Sequence, residues 1–105
     1  MLGELELIVM LAALRLGKDS YGVSIQQAVL KATGRDLTLG TIHKTLVRLE
    51  AKGMLRSRIG EPTPVRGGRR KRCFDLTAAG RRALRSSLSV LHRMAAGLAP
   101  GLEPT

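Results

Sequence analysis

Leu39-Gly40-Thr41-Ile42-His43-Lys44-Thr45-Leu46-Val47-Arg48-Leu49-Glu50-Ala51-Lys52-Gly53-Met54-Leu55 carries two patterns at once. Leu39, Ile42, Leu46 and Leu49 recur at helical spacing and form an apolar stripe. Thr41, Lys44, Thr45, Arg48 and Lys52 fall on another face, which is polar, basic and free of carboxylates. A helix buried along one side, with hydroxyls and cations on the other, is suited to a DNA groove. There cations meet phosphates or guanine edges, and threonine methyls and hydroxyls meet bases. Thr38 stands where an N-cap belongs, and Gly53 where a helix stops.

The charge of the chain is distributed to match. Its 105 residues carry a formal net charge of +10, from 18 Lys and Arg against 8 Asp and Glu. Residues 1–43 hold four cations and four acids, whereas residues 44–93 hold fourteen cations and three acids, Glu50, Glu61 and Asp75. The whole positive excess thus lies from the groove helix onward, which implies a polyanionic partner. A surface kept soluble by charge would not need this asymmetry.

Catalytic and metal chemistry find no support. The single cysteine, Cys73, excludes an internal disulfide and gives no metal cluster, and its strand position suits a small half-buried residue. His43 and His92 fall on different helices, and Gly67-Gly68 lacks the Lys-Ser/Thr that follows in a phosphate loop. No cofactor is expected. The apolar run Leu7 to Leu14 is eight residues long, against the roughly 20 that span a bilayer. It follows Glu4 and Glu6 where a signal peptide would be basic. No membrane association is expected, and the chain is expected in the cytoplasm.

Working outward from the groove helix, a first helix is predicted over Gly3 to Leu16. Leu5, Ile8, Val9, Ala12 and Leu16 make one stripe, and Leu7, Met10, Leu11 and Leu14 a second. A helix apolar nearly all round must be covered on more than one side. A partner subunit is the simplest cover, and a central place in a compact core is the alternative. Asp19 or Ser20 can cap a second helix from Tyr21 to about Ala32, with a stripe of Ile25, Ala28, Val29 and Ala32, and Gly34 ends it.

Downstream, Met54 to Gly60 alternates as a strand does, Glu61 to Gly68 is loop-forming, and Arg69 to Leu76 forms a second strand. Thr77 caps a last helix from Ala78 to about Ala99, stopped by Pro100. Its Leu84, Leu88, Leu91, Ala95 and Leu98 are spaced as a heptad seam. Two surplus apolar surfaces, on the first and last helices, can cover each other in a homodimer. Folding back on its own domain is the alternative for the last helix.

The expected fold is mainly α with a two-stranded β-hairpin, a winged helix-turn-helix whose N- and C-terminal helices form a dimer interface. Residues 1–77 make the DNA-binding domain with its wing at about 54–76, residues 78–99 the dimerisation helix, and residues 100–105 a flexible tail. The interface residues expected are Leu7, Met10, Leu11, Leu14, Leu84, Leu88, Leu91, Ala95 and Leu98.

Four segments resemble the PadR family of transcriptional regulators. These are the opening Leu-Gly-Glu-Leu-Glu, Ser20-Tyr21-Gly22 followed by Ile25, the stretch Leu39 to Met54, and Lys71-Arg72-Cys73-Phe74-Asp75-Leu76-Thr77-Ala78-Ala79-Gly80. The resemblance covers roughly Leu2 to Leu84 and is to the compact branch with a single C-terminal helix. It implies a homodimeric, sequence-specific repressor that binds double-stranded DNA. The third helix would enter the major groove, and the wing would touch phosphates or the minor groove. The family's third-helix Tyr is His43 here, which can donate to a phosphate or a base, and Cys73 and Phe74 stand where the family often pairs aromatics. The family often responds to small aromatic compounds held between subunits, lined in some members by Trp. This chain has no Trp, and such a ligand would lie among residues such as Met10 or Met94, so a small-molecule effector is not assigned.

The DNA contacts expected are Thr41, His43, Lys44, Thr45 and Arg48 on the groove helix, Arg66, Arg69 and Lys71 on the wing, and Tyr21 at the start of the second helix. Arg48 is the strongest of these, because residues 44 and 52 are both Lys and offer it no acid at i±4. Tyr21 could equally pack against the third helix. Glu50 is expected to anchor structure, since a carboxylate facing phosphate would repel. A nonspecific architectural nucleic-acid binder is the rival reading, and a pure protein-interaction module a weaker one.

Overall fold

Helix α1 (Glu4–Leu16) starts where Gly3 donates its N–H to the Glu6 carboxylate at 3.1 Å. The computed structural model describes residues 2–62 and 70–102. Helix α1 packs on α2 (Gly22–Thr33), α3 (Leu39–Ala51) and the strand β2 (Arg70–Leu76). With neighbours on several sides, it buries Leu7, Val9, Met10, Ala12 and Ala13 in the chain's own core. Leu7 and Met10 were expected at a dimer interface and are instead covered within the monomer. Met10 is fully buried, so it cannot line a ligand site between subunits either. Leu11 is half-buried and Leu14 exposed at the surface of α1.

A 3₁₀ turn, Gly17–Asp19, leads into α2. Neither Asp19 nor Ser20 caps that helix. Tyr21 is its N-cap, and Ser24 Oγ accepts the Tyr21 N–H at 2.9 Å. Ser20 is buried because its hydrogen bonds go to β2 instead. Its hydroxyl donates to the Phe74 carbonyl, and the Phe74 N–H returns a bond of 2.8 Å to the Ser20 carbonyl. This reciprocal pair fixes β2 to the entrance of α2. From α2, Ile25 and Val29 enter the core, Ala28 is half-buried and Ala32 exposed. Gln26 Nε2 reaches the Leu37 carbonyl at 2.8 Å and ties α2 to the turn before α3.

Thr38 caps α3, its hydroxyl oxygen accepting the Thr41 N–H at 3.1 Å. At the other end Gly53 takes a φ of 76°, a left-handed conformation that suits glycine, and turns the chain into β1 (Leu55–Pro62). Strands β1 and β2 pair antiparallel, with Leu55 opposite Leu76, Ser57 opposite Phe74 and Ile59 opposite Arg72. Leu55 and Phe74 belong to the core, whereas Ile59 is exposed.

Helix α4 (Ala78–Ala95) is capped by Thr77, whose hydroxyl accepts the Gly80 N–H at 3.0 Å and donates to the Gly53 carbonyl at 2.6 Å. Only its first half meets the domain. Leu84 is buried in the chain's own core, a second departure from the expected interface, and the buried Ser87 hydroxyl accepts the Leu2 N–H at 3.1 Å. From Leu88 onward every described side chain of α4 is exposed. The helix ends at Ala95, four residues before the expected stop, because Ala96 is extended and Gly97 has a φ of 81°. Leu98 therefore leaves the heptad seam. Ala99–Leu102 forms a further helical turn, α5, that includes three residues expected in the tail, Pro100, Gly101 and Leu102.

Candidate nucleic-acid interface

Burial of Ile42, Thr45, Leu46 and Leu49 fixes which way α3 is turned. Gly40, Lys44, Val47 and Ala51, spaced four, three and four, point directly away from that buried arc, with His43 and Arg48 flanking them; all six are exposed. Thr45 is not on this face: it is buried, and its hydroxyl donates to the Thr41 carbonyl one turn back at 2.9 Å. Leu39, expected in the buried stripe, is 47% exposed at the first turn. Thr41 is half-buried, with its hydroxyl oxygen accepting from Thr38 at 2.9 Å. Val47 is absent from the contacts expected from sequence, although its position three residues after Lys44 and one before Arg48 is the signal that could have found it.

Lys52 also leaves the polar face. It donates to Glu6 at 2.8 Å, and this hydrogen bond, more than any other contact, holds the Glu6 carboxyl below its usual range. The last turn of α3 is thereby tied to the first turn of α1. Lys44 and Arg48 have no ion-pair partner among the described residues.

The hairpin is set against α3 by Glu50. Its carboxylate accepts from the Ser57 N–H at 3.1 Å, from the Ser57 hydroxyl, and from Arg72 at 2.6 Å. The bond from the Ser57 hydroxyl is the main reason its pKa is lowered. Arg72 also lies over the Phe74 ring, 5.1 Å from its centroid. On the other face of β2, Lys71 Nζ sits 4.0 Å from the Tyr21 ring centroid, so these two candidate contacts form one cation–π unit at the entrance of α2. Arg58 bonds Asp75 at 2.7 Å and the Lys18 carbonyl at 2.8 Å. Glu50 thus joins α3 to the hairpin, Asp75 bonds Arg58 across the two strands, and Arg58 in turn reaches the Lys18 carbonyl. Arg66 and Arg69 lie outside the described residues.

The arrangement is a helix presenting cations outward beside an antiparallel hairpin. The model for the transcriptional regulator PadR-like family matches residues 10–86. The chain belongs to that family. Solved structures of similar fold include a PadR family transcription regulator from hypervirulent Clostridium difficile R20291, 25% identical, covering 94% of this chain and 97% of that one, with a TM-score of 0.70. A PadR family transcriptional regulator from Eggerthella lenta DSM 2243 is 28% identical, covering 97% and 88%, with a TM-score of 0.63. F93 from STIV, a winged-helix DNA-binding protein, shares the fold at 16% identity, covering 92% and 98%, with a TM-score of 0.65. No curated protein matches the sequence significantly.

This PadR-like regulator is therefore mainly helical with a two-stranded antiparallel wing, as its sequence implied. Its His43 is exposed on α3, beside the outward row of Gly40, Lys44, Val47 and Ala51. Among the described residues no group of His, Cys, Asp and Glu could hold a metal ion, and no helix is long and apolar enough to cross a membrane.

Proposed function

We infer that this chain is a sequence-specific repressor that binds an inverted-repeat operator as a homodimer. The observation that carries the reading is the outward face of α3, where Lys44 and Arg48 stand exposed with no ion pair among the described residues, while the Glu6 carboxylate, whose pKa Arg48 helps to lower, bonds Lys52 and that of Glu50 bonds Ser57 and Arg72. Such a face offers cations to phosphates and guanine edges without a compensating repulsion. His43, Lys44 and Arg48 are the residues assigned to base and phosphate contact on α3, with Thr41 at its edge. Tyr21 and Lys71 serve together at the entrance of α2, and Arg66 and Arg69 are assigned to the wing. Thr45 acts within the helix rather than on DNA.

Homodimer formation is supported by the half of α4 beyond Ser87, whose Leu88, Leu91 and Met94 are exposed. It is supported too by a groove of about 230 Å³ where Leu11 and Leu14 of α1 face Leu84 and Leu88 of α4. Dimeric helix-turn-helix proteins read two half-sites about one helical turn of DNA apart, which is the spacing expected of the operator. The repressor role follows from the family resemblance. Selection of bound fragments from random duplex DNA tests the reading: enrichment of a short inverted repeat, whose placement at a promoter lowers transcription when the protein is present, is the expected result. Binding without enrichment and with steep salt dependence would instead mark a nonspecific architectural protein.

A further inference from the structure

We propose that Val47 reads the C5 methyl group of a thymine in the major groove, so that the preferred half-site of this chain carries thymine at one fixed position. The proposal depends on the DNA-reading role assigned to α3 above. Val47 is 42% exposed, on the side of α3 away from Ile42, Leu46 and Leu49. The fold gains little from a valine at that place. The side chain enters no part of the core, and a β-branched residue is a poorer helix former than the Ala or Lys that suit an exposed helical position.

The surroundings name the occupant. His43 lies one turn before Val47, Lys44 three residues before it, Arg48 next to it and Ala51 one turn after, while the carboxylate of Glu50, three residues after it, is taken up by Ser57 and Arg72. A second copy meeting this face would set Lys44 and Arg48 against their own equivalents, which disfavours self-association there. A polyanion meets no such cost. Once α3 lies in a groove, Val47 has no donor or acceptor to offer a base edge. Of the groups that base pairs present in the major groove, the thymine methyl is the apolar one. Lys44 and Arg48 would bind phosphates or guanine edges on either side, and Val47 and the methyl would shield each other from water. Burial of one such group corresponds to about a fourfold change in affinity.

The test uses the full chain and duplexes it enriches from a random library. Each thymidine of an enriched duplex is replaced in turn by deoxyuridine, which lacks only the C5 methyl, and affinities are measured for the natural protein and for Val47→Ala. One thymine in each half-site is expected where deoxyuridine weakens the natural protein about fourfold and leaves Val47→Ala unchanged. Val47→Ala should lose the same factor on the thymine duplex and nothing on the uracil duplex. Because alanine is the better helix former, a folding defect would not produce that pattern. Equal losses in both proteins, or no uracil-sensitive position, would overturn the assignment of Val47 and leave DNA reading intact. Failure to enrich any sequence would overturn the DNA-reading role itself and the assignment with it.

Discussion

Gly80 lies so close to Met54 that a β-carbon placed on it would come within 2.0 Å of the Met54 carbonyl oxygen. The same carbonyl accepts the Thr77 N–H at 3.1 Å, and the Thr77 hydroxyl joins the Gly53 carbonyl to the Gly80 N–H. The Leu-Thr-x-x-Gly segment is therefore a joint: it lays the first turn of α4 directly on the turn between α3 and β1.

Gly80→Ala is expected to destabilise the protein by about 1–3 kcal/mol, the cost of forcing an extra carbon into packed surroundings. The obstruction is main chain, which cannot swing aside as a side chain can. Gly22, at the start of α2, has nothing within 4 Å of an added β-carbon and no positive φ. Gly22→Ala should stay within about 1 kcal/mol of the natural protein, on the stabilising side. Urea denaturation of both variants at one temperature makes the comparison.

The ion pair between Glu6 and Lys52 gives a pH-dependent prediction. The Glu6 side chain is 10% exposed and that of Lys52 48%, so the pair is partly screened and worth at most about 1 kcal/mol. Bonding to Lys52 lowers the folded-state pKa of Glu6 from the ordinary value of 4.5. The unfolded chain therefore takes up the proton first as pH falls. The stabilisation is complete above that ordinary value and is lost as pH drops through the lowered one. Glu6→Gln should be less stable than the natural protein at pH 7, and the gap should close in acid. A gap that is constant from neutral to acid pH would mean that packing, not charge, holds this contact.

Glu50 supports the angle of the wing. Glu50→Ala removes the acceptor of the Ser57 N–H, the Ser57 hydroxyl and Arg72. Hydrogen exchange of the Ser57 amide should accelerate, while amides in the middle of α2, distant from this joint, keep their protection. Uniform acceleration throughout the chain would show instead a general loss of stability.

Much of this architecture is legible in the residues. Thr38 and Gly53 bracket α3, the alternation around Arg56 and Arg58 marks a strand, and Thr77 announces α4. Periodicity gives the spacing of a stripe but not its absolute direction, which depends on what packs against it. The Thr45 hydroxyl has the look of surface chemistry, yet bonding to the Thr41 carbonyl lets it be buried without an unmet donor. Leu39, at the first turn, extends beyond the core that its spacing suggests. For the same reason an all-apolar α1 cannot declare whether Leu7 and Met10 meet a partner or their own domain. The stop of α4 is visible at Gly97, but Pro100 is the more conspicuous signal and misleads, because proline is tolerated in the first turn of a helix.

Arg48 is the sharpest test of base reading. It is exposed, has no ion-pair partner among the described residues and flanks the outward face of α3. Arg48→Ala should cost about 1–3 kcal/mol on an enriched duplex and little on random DNA. Lys44→Ala, if Lys44 meets phosphate, should weaken both about equally and reduce the salt dependence. Equal losses on the two duplexes for Arg48→Ala would reassign Arg48 to the phosphate backbone.

The exposed half of α4 carries the last prediction. Met94 is 76% exposed and Leu91 is also open to solvent, and neither belongs to the core cluster. Burial of a leucine or methionine of this kind is worth about 1.5–3 kcal/mol, and a two-fold interface counts each substitution twice. Leu91→Glu together with Met94→Glu should therefore convert the proposed homodimer to a monomer in sedimentation velocity. Helical circular dichroism should stay close to that of the natural chain, because the altered side chains hold nothing within their own domain. Loss of the dimer should also weaken binding to an inverted repeat far more than binding to a single half-site, since each monomer would then have to bind without its neighbour. An unchanged mass would show that these residues do not form the contact between copies.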